Sequence, residues 1–529
     1  MKKKPSKAII HSANMAHSVK GDIKRLEAAG IYLDPNKVHV NFEKVMERVR
    51  KIRAEISHHD SAERYSNVHG VEVYIGRATF ASERTVVVNG RTLHFKKAVI
   101  ATGGYPTLIP MRGLKELHDQ SISLEVIDSN KKPIVMTNET FFNMTKQPKK
   151  LAVIGAGVIG MELAQAMQRL GTDVTVFGRS GKVLPKEEED MSEIVKQQMI
   201  EDGVSFNLSV AEYVEIELDG TVLDNGYPQL KMTILEKGDD DDDNNDDGKK
   251  QKATYLFDAL LVAAGRRPNV TGMELELAKV DYDTKKGLIV NDKLQTTNPC
   301  IYGVGDCCSE FKFTHAGECK DSIMMYLVLL LLLFYYYYYC YYYYIIIIVY
   351  TIVHSLVLLF SCDISYLINR LKADFMARTV IRNAFFFGKG KMSDLLIPYA
   401  TFTSPEIASV GLYGKDLDEL GIQYRVFEKH FKDNDRAICD DRRQGFIRFR
   451  VDAKKDTILG CSIVGDGAGN MIGEVTLAME SQTGLSAMAS IIHPYPTTGE
   501  VVRQSGDLYN KTKLTTTVKS LLRGIVKIQ

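Results

Sequence analysis

Gly155, Gly157 and Gly160 have the residue type and the spacing to bind a phosphate. They lie in "KKLAVIGAGVIGMELAQAMQRLGTDVTVF", where an apolar run precedes the glycines, and a helical pattern and a second apolar run follow them. In such a strand–turn–helix unit, the first glycine permits a tight turn, the second lets the backbone approach a pyrophosphate, and the third lets the helix pack closely on the strand. The helix N-terminus adds N–H donors and a positive dipole. The segment therefore predicts a dinucleotide-binding site.

The end of the second apolar run indicates which dinucleotide would bind. Folds that select NAD carry an acidic residue there, which binds the ribose hydroxyls. Here "VTVFGRSGK" has Gly178 at that position, then Arg179, with Lys182 close by. Because cations favour a 2′-phosphate, the sequence predicts NADP(H) in preference to NAD(H). The alternative is that Arg179 is only an exposed surface residue.

The cysteines and the acidic residues do not predict a metal site. None of the eight cysteines forms a C-x2-C or C-x4-C pair, which excludes the usual zinc and secreted disulfide patterns. Cys307 and Cys308 are adjacent and could form a redox or soft-metal pair, but neighbouring cysteines rarely bridge, and the favoured interpretation is buried free thiols. The run "GDDDDDNNDDGKKQK" lacks the ligand spacing of a calcium loop and predicts a solvated hairpin loop.

The elements that must position these residues follow from the apolar periodicity. Residues 38–66 predict one polar amphipathic helix, and "VEVYIGRATFASERTVVVNGRTLHFKKAVIATGG" predicts a meander of strands with a turn at Asn89 and Gly90. From Lys150 the pattern is that of a βαβ unit with a parallel sheet. From Pro398 onward, strands and helices without further glycine turns predict a separate α+β domain.

Composition bounds the class of protein. At 529 residues with 45% hydrophobic content, the chain is long enough for about three domains. With 67 basic and 66 acidic residues, the net charge of +1 gives no field that favours nucleic acid, an anionic membrane or an acidic partner. The first residues include lysines but no apolar stretch after them, so they are not a signal peptide. The location stays open, and the expectation is a soluble protein of the cytoplasm or of an organelle.

The segment 322–362 has no charged side chain and contains homopolymeric leucine, tyrosine and isoleucine runs. Its length and apolarity would suit a membrane hairpin, so membrane contact is expected only if this segment is a true part of the protein. A core insertion is disfavoured because each tyrosine hydroxyl would need a buried partner. The favoured interpretation is translated non-coding sequence, because packed cores are not built from such low-complexity runs.

Four motifs stand in the order found in the pyridine nucleotide-disulfide oxidoreductases, the group of lipoamide dehydrogenase, glutathione reductase and mercuric reductase. They are "AVIATGGYP", "GAGVIGMEL", "LLVAAGRRPN" and "TTNPCIYGVGD". The later segments "IPYATFTSPEIASVGL" and "HPYPTTGE" resemble the interface domain of that family, and "HDSAER", "FTHAGE" and "DLYNKTKLT" resemble its mercuric-reductase-like branch. The resemblance covers nearly the whole chain outside 319–371.

The resemblance implies an α/β fold with two Rossmann-like nucleotide-binding domains, for FAD and NAD(P), and a C-terminal α+β dimerisation domain. It implies a homodimer whose acceptor is a small molecule, a disulfide or a metal ion. The expected divisions are the first part of the FAD domain at 1–148, the NAD(P) domain at 149–270, the second part of the FAD domain at 271–318, the low-complexity insert at 319–371, an FAD-domain helix and connection at 372–394, and the dimerisation domain at 395–529.

The resemblance also assigns cofactor-binding residues. Asp306 would bind the ribityl chain of FAD, with Gly305 allowing close approach. Thr102 and Gly103 would lie near the flavin nucleotide at the crossover from the FAD domain, and Gly265 would mark the return from the nucleotide domain.

The same family pairs an acid near the nicotinamide with a lysine of a redox helix, and these positions match Glu162 and Lys7. The redox motif of the family reads C-x4-C-V-P-S-K, and "KKKPSKAIIHSA" matches it from Pro5 onward. Lys3 stands where the second cysteine would be. By the family pattern, about 40 residues with the first FAD-binding βαβ unit and both cysteines are missing, and a truncated gene model is the favoured explanation.

The catalytic base of the family is a His before Pro-Thr, held by a Glu five residues later. In "IIHPYPTTGE" that position is Tyr495, with Glu500 at the matching spacing and His493 two residues early. A tyrosine, with a pKa near 10, is a poor base at neutral pH, so the substitution argues against lipoamide or glutathione as substrate. Delivery of mercury needs soft thiolates, and the tail "SLLRGIVKIQ" has none.

Three functions stay open. The favoured one is an FAD-dependent NAD(P)H oxidoreductase, mercuric-reductase-like or dihydrolipoamide-dehydrogenase-like, which passes hydride to the flavin and then reduces a thiol/disulfide or metal acceptor. The second is a catalytically inactive nucleotide-binding homologue that lacks the redox disulfide. The third is a membrane-tethered homologue that uses 322–362 as an anchor.

Overall fold

The fold is described from a computed structural model that covers residues 4–20, 23–34, 37–58, 61–127, 133–238, 250–308, 356–359, 370–386, 388–520 and 523. The helices are α1 Lys4–Lys20, α2 Ile23–Ala28, α3 Phe42–Ser57, α4 Ala62–His69, α5 Leu114–Ile127, α6 Val158–Arg169, α7 Glu189–Glu201, α8 Arg370–Phe385, α9 Gly414–Glu419, α10 Asp435–Cys439, α11 Ala468–Glu480, α12 Leu485–Met488 and α13 Glu500–Thr512.

The strands before the C-terminal sheet are β1 Ala78–Ser82, β2 Thr85–Val88, β3 Arg91–His94, β4 Lys97–Ile100, β5 Gly104–Pro106, β6 Val135–Thr137, β7 Lys150–Ile154, β8 Asp173–Phe177, β9 Ser205–Asn207, β10 Val210–Val222, β11 Pro228–Glu236, β12 Gln251–Phe257, β13 Ala259–Val262, β14 Arg266–Pro268, β15 Tyr282–Asp283, β16 Gly287–Leu288, β17 Ile301–Gly303 and β18 Leu356–Leu359. The C-terminal sheet consists of β19 Tyr399–Thr401, β20 Glu406–Gly411, β21 Tyr424–His430, β22 Phe446–Asp452 and β23 Ile458–Gly465.

A five-stranded parallel sheet in the order β6-β13-β7-β8-β9 carries the glycine turn. The runs KLAVI in β7 and ALLV in β13 are almost entirely buried, as expected for strands with both faces covered. Helix α6 connects β7 to β8, so the βαβ unit predicted from Lys150 is confirmed.

An antiparallel sheet in the order β10-β11-β12 packs against this parallel sheet. Phe177 at the end of β8 meets Tyr255 and Phe257 of β12 edge to face, with ring centroids 5.1 and 5.7 Å apart. The predicted acidic loop falls between β11 and β12, but residues 239–249 lie outside the described residues.

A second parallel sheet, in the order β17-β4-β18, holds the "AVIATGG" segment at its centre. Strand β18 comes from the low-complexity segment, and Leu356 to Leu359 pair in parallel with β4. The rest of 322–362 lies outside the described residues. Among the helices that the structure describes, none is both long and apolar enough to span a bilayer.

The predicted meander is confirmed, but the predicted single helix at 38–66 is wrong. Strands β1, β2 and β3 pair in sequence, and Asn89 and Gly90 turn between Val88 and Arg91 with positive φ angles of 48° and 74°. The helical stretch instead forms α3 and α4. Ser61 has extended backbone angles and accepts a hydrogen bond from the Arg64 N–H, so it starts a new helix rather than continuing the first.

The C-terminal region is an antiparallel sheet in the order β19-β20-β23-β22-β21, packed against α11 and α13. Its core includes Phe449, Ile463, Val475 and Val501, all with no exposed surface. The α+β character predicted from Pro398 is thereby confirmed.

A buried polar cluster joins this region to the start of α7. The Glu187 carboxylate accepts hydrogen bonds from the hydroxyls of Tyr413, at 2.6 Å, and Tyr399, at 3.2 Å. Next to it, Arg448 binds Glu188 at 3.0 Å. Burial raises the pKa of Glu187, while the two tyrosine hydroxyls oppose that change.

Tyr413→Phe should lower the free energy of unfolding by about 2 kcal/mol, because it removes the shorter of two hydrogen bonds to a buried carboxyl group. Urea unfolding followed by circular dichroism would measure the loss. Tyr32→Phe is the matched control, since Tyr32 is 80% exposed. Equal midpoints for the two variants would show that the cluster does not stabilise the contact between the regions.

Candidate active site

The glycine turn leaves open space only at its middle glycine. A Cβ on Gly155, where φ is +112°, would lie 2.5 Å from the Ala263 carbonyl oxygen, and a Cβ on Gly160 would lie 2.0 Å from the carbonyl oxygen of Gly155. A Cβ on Gly157, at the N-cap of α6, would meet nothing within 4 Å. Two glycines are therefore required by packing, and the third presents bare backbone at a helix N-terminus, which fits a pyrophosphate.

Arg179 lies beside the end of β8, as the sequence predicts for a residue that could meet a 2′-phosphate. Gly178 is buried and its N–H donates to the Asn207 carbonyl, so the chain turns outward at Arg179, which is exposed. Lys182, the other candidate cation, lies 3.0 Å from the Glu189 carboxylate.

Behind the turn, Lys7 and Glu162 form an ion pair that joins α1 to α6. The Lys7 ammonium lies 3.0 and 3.1 Å from the two carboxylate oxygens of Glu162, which is 4% exposed. The Phe402 N–H donates to Oε1 of Glu162 at 2.8 Å, and the Lys7 ammonium lies 3.7 Å from the centroid of the Phe402 ring. Burial lowers the pKa of Lys7, and the Glu162 carboxylate opposes that change.

The family resemblance anticipated the contact between Lys7 and Glu162, whereas the part of Phe402 was missed. Phe402 follows β19 and brings the C-terminal region onto the pair. Its sequence context, "TFTSPE", carries no pattern that would reveal a backbone N–H aimed at a carboxylate 240 residues away in the chain.

A buried cluster of polar side chains around Arg169 and Asp202 holds α1 against α6. The Asp202 carboxylate accepts from Arg169 Nε at 2.7 Å and lies 3.7 Å from His17 Nδ1. Arg169 Nη1 also donates to the Asn14 side chain at 2.8 Å. Since both sides of the Arg169–Asp202 ion pair are almost fully buried, the position of α1, and with it of Lys7, is strongly constrained.

The residues expected to bind FAD meet where β4 and β17 end. Thr102 is buried and its hydroxyl donates to the Asn269 carbonyl at 2.6 Å. Gly103, Gly265 and Gly305 have positive φ angles of 66°, 125° and 77°, which other residues adopt with strain. Asp306, 4% exposed, follows directly after Gly305. Bare backbone and a carboxylate at the ends of parallel strands fit the ribityl part of FAD.

Arg266 is a further buried member of this group, and its contact with Asp306 was not anticipated. Its Nε lies 3.8 Å from the Asp306 carboxylate, and its Nη2 donates to the Gly104 carbonyl at 2.6 Å. The available signal was the pair of arginines in "AAGRRPN", of which Arg266 is nearly buried and Arg267 is exposed.

The neighbouring cysteines pack into the interior. Cys307 has no exposed surface, and its thiol donates to the carbonyls of Ile100 and Val304. Cys308 is partly buried, with its thiol 3.5 Å from the Gly305 carbonyl oxygen. Within the described residues, no group of three or more His, Cys, Asp or Glu side chains could hold a metal ion.

The three C-terminal candidates do not form the arrangement that the resemblance implied. The Tyr495 hydroxyl donates to Asp435 at 2.8 Å rather than to Glu500. His493 lies with Nε2 3.1 Å from the Glu474 carboxylate. Glu500 is 7% exposed.

Tyr495 and Glu500 are not hydrogen-bonded because Glu500, the first residue of α13, points into the protein. The carboxylate then lies 3.4 Å from the Arg503 guanidinium, one turn along the same helix. His493 instead contacts Glu474 of the neighbouring α11, and its Nδ1 lies 3.1 Å from the Ile491 carbonyl oxygen. The hydroxyl of Tyr495, a residue that is 71% exposed, stays on the protein surface.

The chain is similar to a mercuric reductase and to a dihydrolipoyl dehydrogenase. A mercuric reductase from Bacillus cereus is 25% identical over 441 residues, which are 83% of this chain and 55% of that protein. A dihydrolipoyl dehydrogenase from Thermus scotoductus is 25% identical over 511 residues, which are 96% of this chain and 88% of that protein.

A solved structure, the HOCl-induced flavoprotein disulfide reductase RclA from Escherichia coli, superposes with a TM-score of 0.66 at 19% identity. The superposition covers 94% of this chain and 88% of that one, and it supports the fold.

Two family descriptions match the sequence. "Pyridine nucleotide-disulphide oxidoreductase" matches residues 3–321, and the dimerisation domain of the same family matches residues 397–505. The first match alone spans more than half of the 529 residues. The chain therefore belongs to the pyridine nucleotide-disulphide oxidoreductase family.

Proposed function

We propose that this protein is an FAD-dependent NAD(P)H oxidoreductase whose electron acceptor is a thiol/disulfide or a metal ion. The observation that carries the proposal is the Lys7–Glu162 ion pair next to the glycine turn, in which Glu162 is buried and the Lys7 side chain is 37% exposed. It joins the helix that would carry redox chemistry to the helix that would hold the dinucleotide. FAD, when bound, would accept hydride from NAD(P)H and pass two electrons onward.

The protein's own residues would then hold and orient NAD(P)H and FAD. The N-terminus of α6, with bare backbone at Gly157, would bind the pyrophosphate of NAD(P)H. Asp306, Thr102 and the backbone of Gly305 would hold the ribityl side of FAD. The Lys7–Glu162 pair would fix the position of α1 against α6 beside the two rings, and Phe402 would pack against Lys7 there.

The residues give less direct evidence about where the electron acceptor binds. Tyr495 and His493 are proposed to face the acceptor of a partner subunit, because they lie in the segment that the dimerisation domain contributes. A homodimer is also favoured by exposed apolar side chains on this region, with Ile492 at 94% and Leu477 at 69% exposure. The mass in solution by light scattering would test the dimer.

A catalytically inactive nucleotide-binding protein is the second candidate. It is favoured by one observation: Lys3 stands where the second cysteine of the family's redox motif would be. Such a protein would bind NAD(P)H through the glycine turn without reducing a disulfide.

Anaerobic titration of the purified protein with NADPH separates the two candidates. The enzyme is expected to carry FAD absorbance that bleaches on addition of NADPH. A colourless protein that still quenches NADPH fluorescence on binding would favour the inactive homologue. Failure to bind either nucleotide would overturn both proposals.

Arg179→Ala should reduce affinity for NADPH about tenfold while leaving affinity for NADH within about twofold, because the arginine would contact only the 2′-phosphate. Fluorescence titration with each nucleotide would measure the two dissociation constants. Lys182→Ala is the control, since Lys182 is engaged with Glu189 and should have the smaller effect. Equal losses for NADPH and NADH in Arg179→Ala would refute the predicted NADP(H) preference.

A further inference from the structure

Arg266 places a buried guanidinium beside the carboxylate that is expected to bind FAD. It is the first residue of β14, where the chain returns from the sheet that carries the glycine turn. Its side chain is 6% exposed, and the side chain of Asp306, which faces it, is 4% exposed. Arginine and aspartate are rarely buried to this extent unless they are paired, so each side chain accounts for the burial of the other.

The backbone of Arg266 is fixed by a short antiparallel ladder. Strand β14 pairs with β5, and Arg266 lies opposite Pro106. The Thr107 N–H donates to the Gly265 carbonyl at 3.0 Å, which extends the ladder to the residue before Arg266. Because side chains alternate along a strand, the Arg266 side chain points inward while Arg267 is exposed.

The guanidinium of Arg266 contacts both segments that connect the two parallel sheets. Its Nη2 donates to the Gly104 carbonyl in β5 at 2.6 Å, and its Nε lies 3.8 Å from the Asp306 carboxylate. A Cβ on Gly104 would lie 2.5 Å from the Arg267 carbonyl oxygen, so glycine is what lets β5 and β14 come this close. The backbone of β5 therefore holds one side of the guanidinium, and the other side faces the carboxylate.

The same two segments are also joined next to the residues expected to bind FAD. The Thr102 hydroxyl donates to the Asn269 carbonyl at 2.6 Å, and the Asn269 N–H donates to the Gly103 carbonyl at 2.9 Å. Asp306 lies close by, since it follows β17, which pairs with β4 directly before Thr102. The strand that carries Arg266 is thus tied to the FAD side of the fold by backbone and side-chain hydrogen bonds.

A buried carboxylate that loses its cation is strongly destabilised, so the charge of Arg266 stabilises Asp306 in the interior. Arginine suits this place because its planar group stays charged and donates in fixed directions. The hydrogen bond to Gly104 limits where the guanidinium can lie, and this in turn limits where the carboxylate can lie. A carboxylate held in one position loses less conformational entropy when a ligand binds to it.

We propose that Arg266 is a positioning residue for FAD, which holds the Asp306 carboxylate in place to accept hydrogen bonds from the hydroxyl groups of the ribityl chain. The inference rests on the proposed function, which assigns FAD to this site. Arg266 acts through Asp306, so its effect on FAD binding depends on the presence of that carboxylate.

Titration of FAD-free protein with FAD, followed by flavin fluorescence, tests this role. R266M should bind FAD about tenfold more weakly than wild type or worse, because the carboxylate loses the group that orients it. Its Kd for NADPH should stay within about twofold of wild type, since the glycine turn follows β7 in the other sheet. R266K keeps the charge and should bind FAD better than R266M. R267M, an exposed neighbour on the same strand, is the control and should bind FAD like wild type.

The D306N background separates positioning from a general structural role. There, R266M should change the affinity for FAD by less than about twofold, because the carboxylate through which Arg266 acts is already gone. If R266M does not fold, R266K takes its place in the same comparison. If D306N binds FAD too weakly to titrate, the selective loss of FAD over NADPH binding decides.

Three results would overturn the proposal and leave the proposed function standing: wild-type affinity for FAD in R266M, an equal loss of FAD and NADPH binding, or a loss of FAD binding that persists in D306N. R266K that binds FAD no better than R266M would also overturn it, because the charge would then have no part in the effect. Wild-type protein that binds no FAD would overturn both the proposal and the proposed function.

Discussion

Lys7→Met is expected to lower the free energy of unfolding by about 2 kcal/mol, less than the cost of breaking a fully buried ion pair, because the Lys7 side chain is 37% exposed. The substitution keeps the volume of the side chain but leaves the Glu162 carboxylate, 4% exposed, without its cation. The Phe402 N–H would still donate to this carboxylate, which also limits the loss. Thermal and urea unfolding would measure the change.

The double variant Lys7→Met/Glu162→Gln should recover part of this loss, because no buried charge then remains uncompensated. Lys44→Met is the matched control. Lys44 lies 2.8 Å from Glu47 on the surface, with both side chains more than 60% exposed, and its loss should be below about 1 kcal/mol. Similar losses for Lys7→Met and Lys44→Met would show that the Lys7–Glu162 pair contributes no more than a surface contact.

Gly160→Ala should destabilise the nucleotide-binding region by about 3 kcal/mol and weaken NADPH binding by about 100-fold. The new methyl group would lie 2.0 Å from the Gly155 carbonyl, so α6 must move away from the turn. Alanine's better helix propensity, worth about 1 kcal/mol, is too small to offset that clash.

Gly157→Ala is the matched substitution, with open space around the new methyl group. Its stability should stay within about 1 kcal/mol of wild type, and NADPH binding should weaken about tenfold, because the methyl group covers backbone that a pyrophosphate would approach. Unfolding midpoints and fluorescence titrations of both variants would check this. A strongly destabilised Gly157→Ala, or a Gly160→Ala of normal stability, would contradict the assignment of the two glycines.

The sequence predicted those parts of the fold whose cause is local. The glycine turn with β7, α6 and β8, the turn at Asn89 and the strands and helices of the C-terminal α+β domain depend on residues close together in the chain. The contact between Lys7 and Glu162, 155 residues apart, was anticipated only through resemblance to the family.

The parts that were missed depend on burial and on contacts between regions. The break between α3 and α4 depends on whether Ser61 caps a helix or sits within one, which periodicity alone does not decide. The partners of His493 and Glu500 depend on which way α13 and α11 present their side chains. The contact between Phe402 and Glu162 depends on a backbone N–H, which no side-chain pattern encodes.

Strand β18 has a consequence for versions of the chain that lack the low-complexity segment. It covers one side of β4, whose Ala98, Val99 and Ile100 are buried. Without Leu356 to Leu359, or another strand in their place, β4 would become an apolar edge strand with unpaired N–H and carbonyl groups. Such an edge is a template for strands of other chains. Removal of this short segment alone would therefore favour intermolecular aggregation over a monomeric protein with the same fold.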